Sequence, residues 1–339
     1  MKELLTKPMG GEAEVGQDQL YYAITDTGRS SLRLILESGL KDKKFLIPDY
    51  LCEVILNILK EFKVAYEFYR VNEDLSSDLK EIKDKKFDVL YVINYFGQRN
   101  ALLDKVSADK IVIEDNVFSP VVEKNNRIKQ WIGFNSLRKI SFLADGSLLC
   151  STLPLKPDAV FDQTPPFSVL KYKAKGMKFD YLNKGSYSEE DYVKIFKEAE
   201  GMLDRQVEIY NASRQSIFHL LDLYRRLEKE NDIKKKNRAV LDKYLRGYKI
   251  KLNPEYLSYY VLSVDRRDGL RKFLTEHKVF LAVHWPRIEG IKNNLYERVI
   301  SIPMDSRYQK SDMERVAKLI LKFLKAAPKK TGKLALAKG

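Results

Sequence analysis

The 339-residue chain has two cysteines, Cys52 and Cys150. Both lie inside apolar segments, where a free thiol behaves as a small hydrophobe, so no disulfide framework is expected. No run approaches the roughly 18 apolar residues that a membrane-spanning helix needs. The opening Met1-Lys2-Glu3-Leu4-Leu5-Thr6-Lys7 lacks the apolar region of a signal peptide, which gives the expectation of a cytoplasmic protein without membrane association. No internal repeat occurs, no metal site is expected, and low-complexity sequence is confined to the Lys-, Ala- and Gly-rich end from Ala327 to Gly339, read as a disordered tail.

What is present is a soluble globular composition, 44% hydrophobic, long enough for two domains or one large domain with an appendage. Lys and Arg outnumber Asp and Glu by 61 to 47, giving a net charge of +14. A basic surface attracts phosphate. The charge is nevertheless spread along the chain, and its densest runs, such as Lys234-Lys235-Lys236, lack the interleaved aromatics of a single-strand platform. Nucleic acid is not an expected partner; solvated lysine faces with some attraction for a phosphorylated substrate account for the charge.

The first half alternates strand and helix patterns. Thr25-Asp26-Thr27 is a cap for a helix with Leu32, Leu34, Ile35 and Leu36 on its apolar face. A strand at 44–47, a Pro48-Asp49 turn and a helix over 50–62 follow, then a strand at 64–71, a short helix at 79–85 and an apolar strand at 88–95. A helix near 101–106, a strand at 110–113 and strands near Trp131 and Ser147 complete the pattern. Buried strands alternating with crossover-length helices predict an α/β fold with a mostly parallel central sheet flanked by helices. Residues 188–248 read as one long helical connector, including Val207, Tyr210, Ile217, Leu220, Leu221 and Tyr224. Strands at 259–264, 279–283 and 299–302 with helices at 268–276 and 311–324 read as a small C-terminal α+β domain. The expected division is a large domain over 18–245, the small domain over 246–327 and a tail over 328–339.

Three constellations carry chemistry. Thr27-Gly28-Arg29-Ser30-Ser31 opens a helix, where free N–H groups and the positive dipole end attract phosphate; Gly28 lets the backbone approach and Thr27, Arg29 and Ser30 add donors. Capping alone also explains Thr27. Asp115 ends an apolar strand, where an acid can pair with a bound heteroaromatic nitrogen or simply form a turn. Lys139 lies between apolar segments with Ala144-Asp145-Gly146-Ser147 behind it. Desolvation lowers a lysine pKa toward the usable amine of Schiff-base chemistry, although a lysine at a strand end commonly snorkels to water instead. Phosphate anchor, strand-end acid and buried lysine are the three contacts that pyridoxal phosphate requires.

In order and spacing these segments resemble the DegT-type sugar aminotransferase family of fold-type-I pyridoxal-phosphate enzymes, over most of residues 20–327. Thr27-Gly28-Arg29-Ser30-Ser31-Leu32 resembles the family's phosphate-binding helix start, and Ile47-Pro48-Asp49-Tyr50-Leu51-Cys52 its Val-Pro-Ser-Phe-Thr-Cys turn. Asn94-Tyr95-Phe96-Gly97-Gln98 resembles its His-Leu-Phe-Gly-Gln loop, Ile113-Glu114-Asp115 its cofactor-acid strand, and Ser136-Leu137-Arg138-Lys139 its lysine segment. Val283-His284-Trp285-Pro286 and the segment 302–308 resemble stretches near the end of such proteins.

The resemblance implies that Lys139 forms the Schiff base and moves the substrate proton, and that Asp115 pairs with the pyridine nitrogen and stays ionised below its free pKa. Gly28, Arg29 and Ser30, with Ser136 nearby, would hold the phosphate, and Tyr50 would stack on the ring. It implies a homodimer with a shared site, for which Asn211 and Arg214 are the nearest match to the family's closely spaced Asn and Arg, with a spacing that differs by one residue. His284 and Arg307 are candidates near acidic groups of the acceptor. The implied reaction passes the amino group of a donor such as glutamate to a keto group of a nucleotide-linked sugar. Phe118 stands where the family has His or Gln, a contact that Asn94 could replace, and Ser147 stands where the family has a second Gly and adds a Cβ. Lys139 sets the chain apart from the lysine-lacking dehydratase branch. Another reaction of the same cofactor, and a binding or regulatory homologue without turnover, remain open.

Overall fold

The computed structural model describes residues 20–326, so the expected tail lies outside the described residues. The chain runs β1 (Tyr21–Thr25), α1 (Gly28–Ile35), β2 (Phe45–Pro48), α2 (Glu53–Glu61), β3 (Tyr66–Tyr69), α3 (Lys80–Lys83), β4 (Val89–Ile93), β5 (Ile111–Asn116), β6 (Gln130–Asn135) and β7 (Ser147–Ser151). It continues with α4 (Pro166–Lys184), α5 (Glu189–Arg205), α6 (Arg214–Leu245), β8 (Tyr259–Ser263), α7 (Arg267–Glu276), α8 (Leu295–Arg298), β9 (Val299–Pro303) and α9 (Lys310–Ala326). The first seven strands form one sheet in the order β1-β7-β6-β5-β4-β2-β3. β7 alone is antiparallel to its neighbours, as expected for a mostly parallel sheet. Val89 to Ile93 are fully buried, because helices cover both faces of a parallel sheet and leave no strand face for water.

Local chemistry explains most element boundaries. Thr27 Oγ1 accepts the Ser30 N–H at 3.2 Å and starts α1, whose Leu32, Leu34 and Ile35 enter the core with Leu36 just beyond. The helix expected from Tyr50 begins only at Glu53, because Leu51 is held by Tyr296: its N–H donates to the phenol oxygen at 2.9 Å and its carbonyl accepts from the hydroxyl at 3.0 Å. β5 extends to Asn116, past the expected end at Ile113, since both neighbouring strands continue to pair with it.

Two expectations need correction. Residues 188–248 are not one helix: the chain leaves helical geometry at 206–213, where Asp26 N–H donates to Tyr210 O at 3.0 Å and Ala212 N–H to Ile24 O at 2.9 Å. Pairing with the sheet edge satisfies those backbone groups and outweighs local helical spacing, and Val207 is exposed. α4 escaped the apolar pattern because its buried positions include Ser168 and Lys171. The strand expected at 279–283 reduces to one bridge between Ala282 and Ser301.

The main core spans the sheet and its helices and takes in Trp285, Ile288, Ile291, Leu295, Tyr296 and Val299 from the C-terminal region. A second core joins the end of α6 to β8, β9, α7 and α9. Residues 246–326 therefore pack both on themselves and against the large sheet. No helix among the described residues is long and apolar enough to cross a membrane. Gly133 in β6 leaves no room for a side chain: an added Cβ would run into the Trp131 ring and lie 2.9 Å from Val122 Cγ1. Gly133→Ala should therefore cost about 1–3 kcal/mol of stability, measured as a lower denaturation midpoint at unchanged slope.

Candidate active site

The site lies beyond the carboxyl ends of β4, β5 and β6, the usual ligand position in such sheets. β6 ends at Asn135, and Ser136 leads into a single 3-10 turn, Leu137–Lys139, that carries the lysine. This turn is tied back by Leu137 N–H to Gly146 O at 2.9 Å, and Gly146 N–H reaches Asp26 O at 2.5 Å. Gly146 has φ of +116°, a conformation that suits glycine. The left-handed position of the turn is thus Gly146 rather than Ser147, and the Cβ of Ser147 is accommodated. Its hydroxyl lies 2.7 Å from Ser31 Oγ and donates to Asn135 O, joining β7 to α1 and β6. Asp145 is structural: it accepts from Ser213 N at 2.9 Å, Ser213 Oγ at 2.7 Å and Ser168 Oγ, fixing the starts of α6 and α4.

Strand alternation sorts the acids of β5. Asp115 pairs with Ile93 and Ile113 with Tyr91, which puts Asp115 and Tyr91 on one face. Tyr91 donates its hydroxyl to Asp115 Oδ2 at 2.7 Å, and Val117 N–H reaches Oδ1 at 2.9 Å. Burial pushes the Asp115 carboxyl above its ordinary value, with the hydrogen bonds and the Lys139 charge opposing. The expectation of a lowered Asp115 is corrected for the protein alone: burial outweighs its partners until a further cation sits against the carboxylate. Lys139 is pushed the other way, its pKa lowered by burial and by the nearby Arg138 and Arg29 charges. Its Nζ lies 5.8 Å from the centre of the Phe118 ring, and its carbonyl accepts from Tyr259 OH at 3.2 Å.

Other predicted residues take varied places. Gly28 packs against the end of β6, where an added Cβ would meet Asn135 O and the Phe134 ring at 3.3 Å. Ser136 is buried at the foot of the lysine turn. Ser30 is buried within the cap, accepting from Thr27 Oγ1 at 3.3 Å. The Arg29 guanidinium is committed to the end of α5, donating to Leu203 O at 2.9 Å and pairing with Asp204 at 2.9 Å. Only its backbone N–H, with that of Gly28, belongs to the donors a helix start leaves free.

Asn94 is corrected. Its amide donates to Glu114 Oε1 and Asn116 Oδ1, both at 2.7 Å, so it lies on the opposite sheet face from Asp115. Tyr50 is corrected as well: it is fully buried against Tyr95, Trp285 and Tyr296, with its hydroxyl bonded to His284 O, and presents no free ring face. His284 is in the site, its ring 5.1 Å from Phe118 and 5.0 Å from Tyr259. Burial and the Lys139 charge lower its pKa to about 3, so it is neutral and offers no charge to an acidic acceptor. Arg307 is held by its own Asp305 through Nε at 2.5 Å and a second nitrogen at 2.8 Å. Asn211 approaches Asp162 at 3.4 Å, and Arg214 is exposed at the start of α6.

A cationic group beside the lysine was missed. Lys171 and Lys175, one turn apart on α4, are both lowered to about 8, chiefly by burial and then by neighbouring cations including Arg138. Glu200 pairs with Lys171 at 2.5 Å and reaches Arg138 at 4.0 Å, while the buried Arg138 Nε has no hydrogen-bond partner among the described residues. The i, i+4 spacing was visible, but lysines at that spacing usually mark a solvated face. Tyr91 was within reach of strand alternation, two residues before Ile93.

No family model and no curated protein matches this sequence. Solved structures do. A DegT DnrJ EryC1 StrS aminotransferase from Brucella abortus is similar at a TM-score of 0.58 and 14% identity, over 89% of this chain and 86% of that one. DesV of S. venezuelae, solved in complex with a ketimine intermediate, gives 0.60 and 13% over 91% and 85%. The PMP-form of the sugar aminotransferase Spr1654 from Streptococcus pneumoniae gives 0.62 and 12% over 88% and 86%. The chain thus has the fold of these aminotransferases along nearly its whole described length.

Beside the site, burial raises the pKa of Asp26 to about 6, against hydrogen bonds from Gln206 and others. The folded state therefore holds this proton more tightly than the unfolded chain. The stability this contributes is complete below the unfolded value near 4 and is lost as pH rises through about 6. Asp26→Asn should match wild type near pH 4 and exceed it at pH 8 by roughly 2–3 kcal/mol in denaturant titrations.

Proposed function

We propose that this chain is a pyridoxal-phosphate-dependent aminotransferase acting on a keto sugar. The observation that carries the proposal is the pairing of a lysine held toward its free amine with a buried acid that needs a cation, at the foot of a glycine-started helix. The residues fit the cofactor. The N–H groups of Gly28 and Arg29 suit a phosphate, and Ser136 has no side-chain hydrogen bond among the described residues. Asp115 would hold a protonated ring nitrogen, which in turn would return its carboxyl to the ionised form. When bound, pyridoxal phosphate supplies an electron sink for the carbanion at the amino acid's α-carbon.

With the cofactor bound, Lys139 would have two tasks: its amine would tether the cofactor, and, once freed by the donor, it would carry the substrate proton. A depressed pKa suits both, since only the neutral amine can attack or accept. Tyr91 keeps Asp115 aligned, and Tyr259 holds the Lys139 backbone. An amino acid such as glutamate is the proposed donor. Arg138, Lys171 and Lys175 outnumber Glu200, which supports an anionic acceptor of the nucleotide-linked kind. The exposed Ile217, Phe218 and Leu221 on α6 support a homodimer in which Asn211 and Arg214 serve the partner's site.

Purified protein should develop a visible absorbance band with pyridoxal phosphate. Borohydride should fix the cofactor on the Lys139 peptide, seen by mass spectrometry. Glutamate should discharge the band and release its keto acid. Absence of the band, or its persistence in Lys139→Ala, would overturn the proposal; a band that no amino donor discharges would leave a cofactor-binding protein without turnover. Replacing Lys171 and Lys175 together by Glu should raise KM for a nucleotide-linked keto sugar about tenfold at low salt, with kcat little changed.

A further inference from the structure

His284 is built into the site in a way that general packing does not require. Its Nδ1 lies 3.0 Å from Ser301 Oγ, and this is the only side-chain hydrogen bond of either residue among the described residues. Ser301 is fully buried in β9. A buried hydroxyl hydrogen left without an acceptor costs about 1–3 kcal/mol. The Nδ1 lone pair is the acceptor within reach, so Ser301 donates to it, and the ring hydrogen of a neutral imidazole must then sit on Nε2. Nε2 has no hydrogen-bond partner among the described residues.

The ring has little freedom to turn away. It meets Phe118 edge-on at 5.1 Å and 89°, Tyr259 at 5.0 Å and Phe96 at 5.6 Å, while the His284 carbonyl accepts the Tyr50 hydroxyl. Lys139 Nζ lies over the same Phe118 ring. An uncharged N–H in these apolar surroundings favours an oxygen that carries or gains negative charge, and it does so without competing with Asp115 for a cation.

We propose that His284 donates through Nε2–H to an oxygen of the ligand held at Lys139, and that Ser301 is the positioning residue that fixes this tautomer. The inference rests on the cofactor reading above for the identity of the ligand. The oxygen belongs either to pyridoxal phosphate itself or to the keto substrate, and the two sources separate experimentally.

The chain has three histidines, so nitrogen NMR of histidine-labelled protein can be assigned with one variant. Ligand-free protein should show His284 protonated on Nε2, and Ser301→Ala should move it toward a mixture of tautomers. Adding pyridoxal phosphate should shift Nε2 if the cofactor's oxygen is the acceptor; a shift only after the keto substrate assigns the substrate's oxygen. His284→Phe should weaken binding of whichever ligand causes the shift by about tenfold, and His284→Gln, which keeps an N–H, by less than threefold. Protonation on Nδ1 in the free protein overturns the proposal. So does an Nε2 signal unmoved by both ligands while the Lys139-dependent band forms. If the band never forms, the cofactor reading is what has failed, and the ligand half of this inference falls with it, while the free-protein tautomer still decides the role of Ser301.

Discussion

The site depends on burying two groups of opposite tendency at the end of one strand. Asp115 and Lys139 both lose hydration, which pushes the carboxyl up and the ammonium down, toward neutrality. Their mutual attraction opposes both shifts but does not cancel them. The protein is left with a lysine shifted toward its free amine and a buried carboxyl shifted toward its acid, an arrangement that is costly unless a ligand supplies what is missing.

Much of the surrounding structure serves to hold that arrangement. The lysine turn is tied to β1 through Asp26 and to α1 through Ser147 and Ser31, so the helix start and the lysine cannot move independently. The C-terminal region closes the other side: Tyr259 holds the Lys139 backbone, Tyr50 holds His284, and Phe118 fills the space between them. An aromatic wall of Phe118, Tyr259 and Phe96 lines that side. It deepens the burial of Lys139 and leaves His284 as the polar atom set into the wall.

Several features of the candidate site could be read from the chain. The cap at Thr27, the strand-end position of Asp115 and the place of Lys139 between apolar segments each follow from local rules, and their order along the chain suggested the fold. Asn94 was misread because a loop residue's face depends on the strand it packs against, and its amide is claimed by Glu114 and Asn116. Tyr50 was misread because an aromatic in a turn packs or stacks according to what arrives from elsewhere; here Trp285 and Tyr296 arrive from more than two hundred residues away. The break at 206–213 was hidden for the same reason, since the sheet edge that captures it lies at residues 24–26.

By itself, then, the sequence determined the elements, the alternation that makes a largely parallel sheet, and which residue types could carry the chemistry, because hydrophobic period and capping act within a few residues. Tertiary structure alone decided which of those residues meet. It set Asp115 rather than Glu114 on the lysine's face, gathered Lys171 and Arg138 around Glu200, and held His284 uncharged beside Lys139. Burial is the physical reason: desolvation and the pairing of polar groups depend on distances through space, which spacing along the chain does not fix.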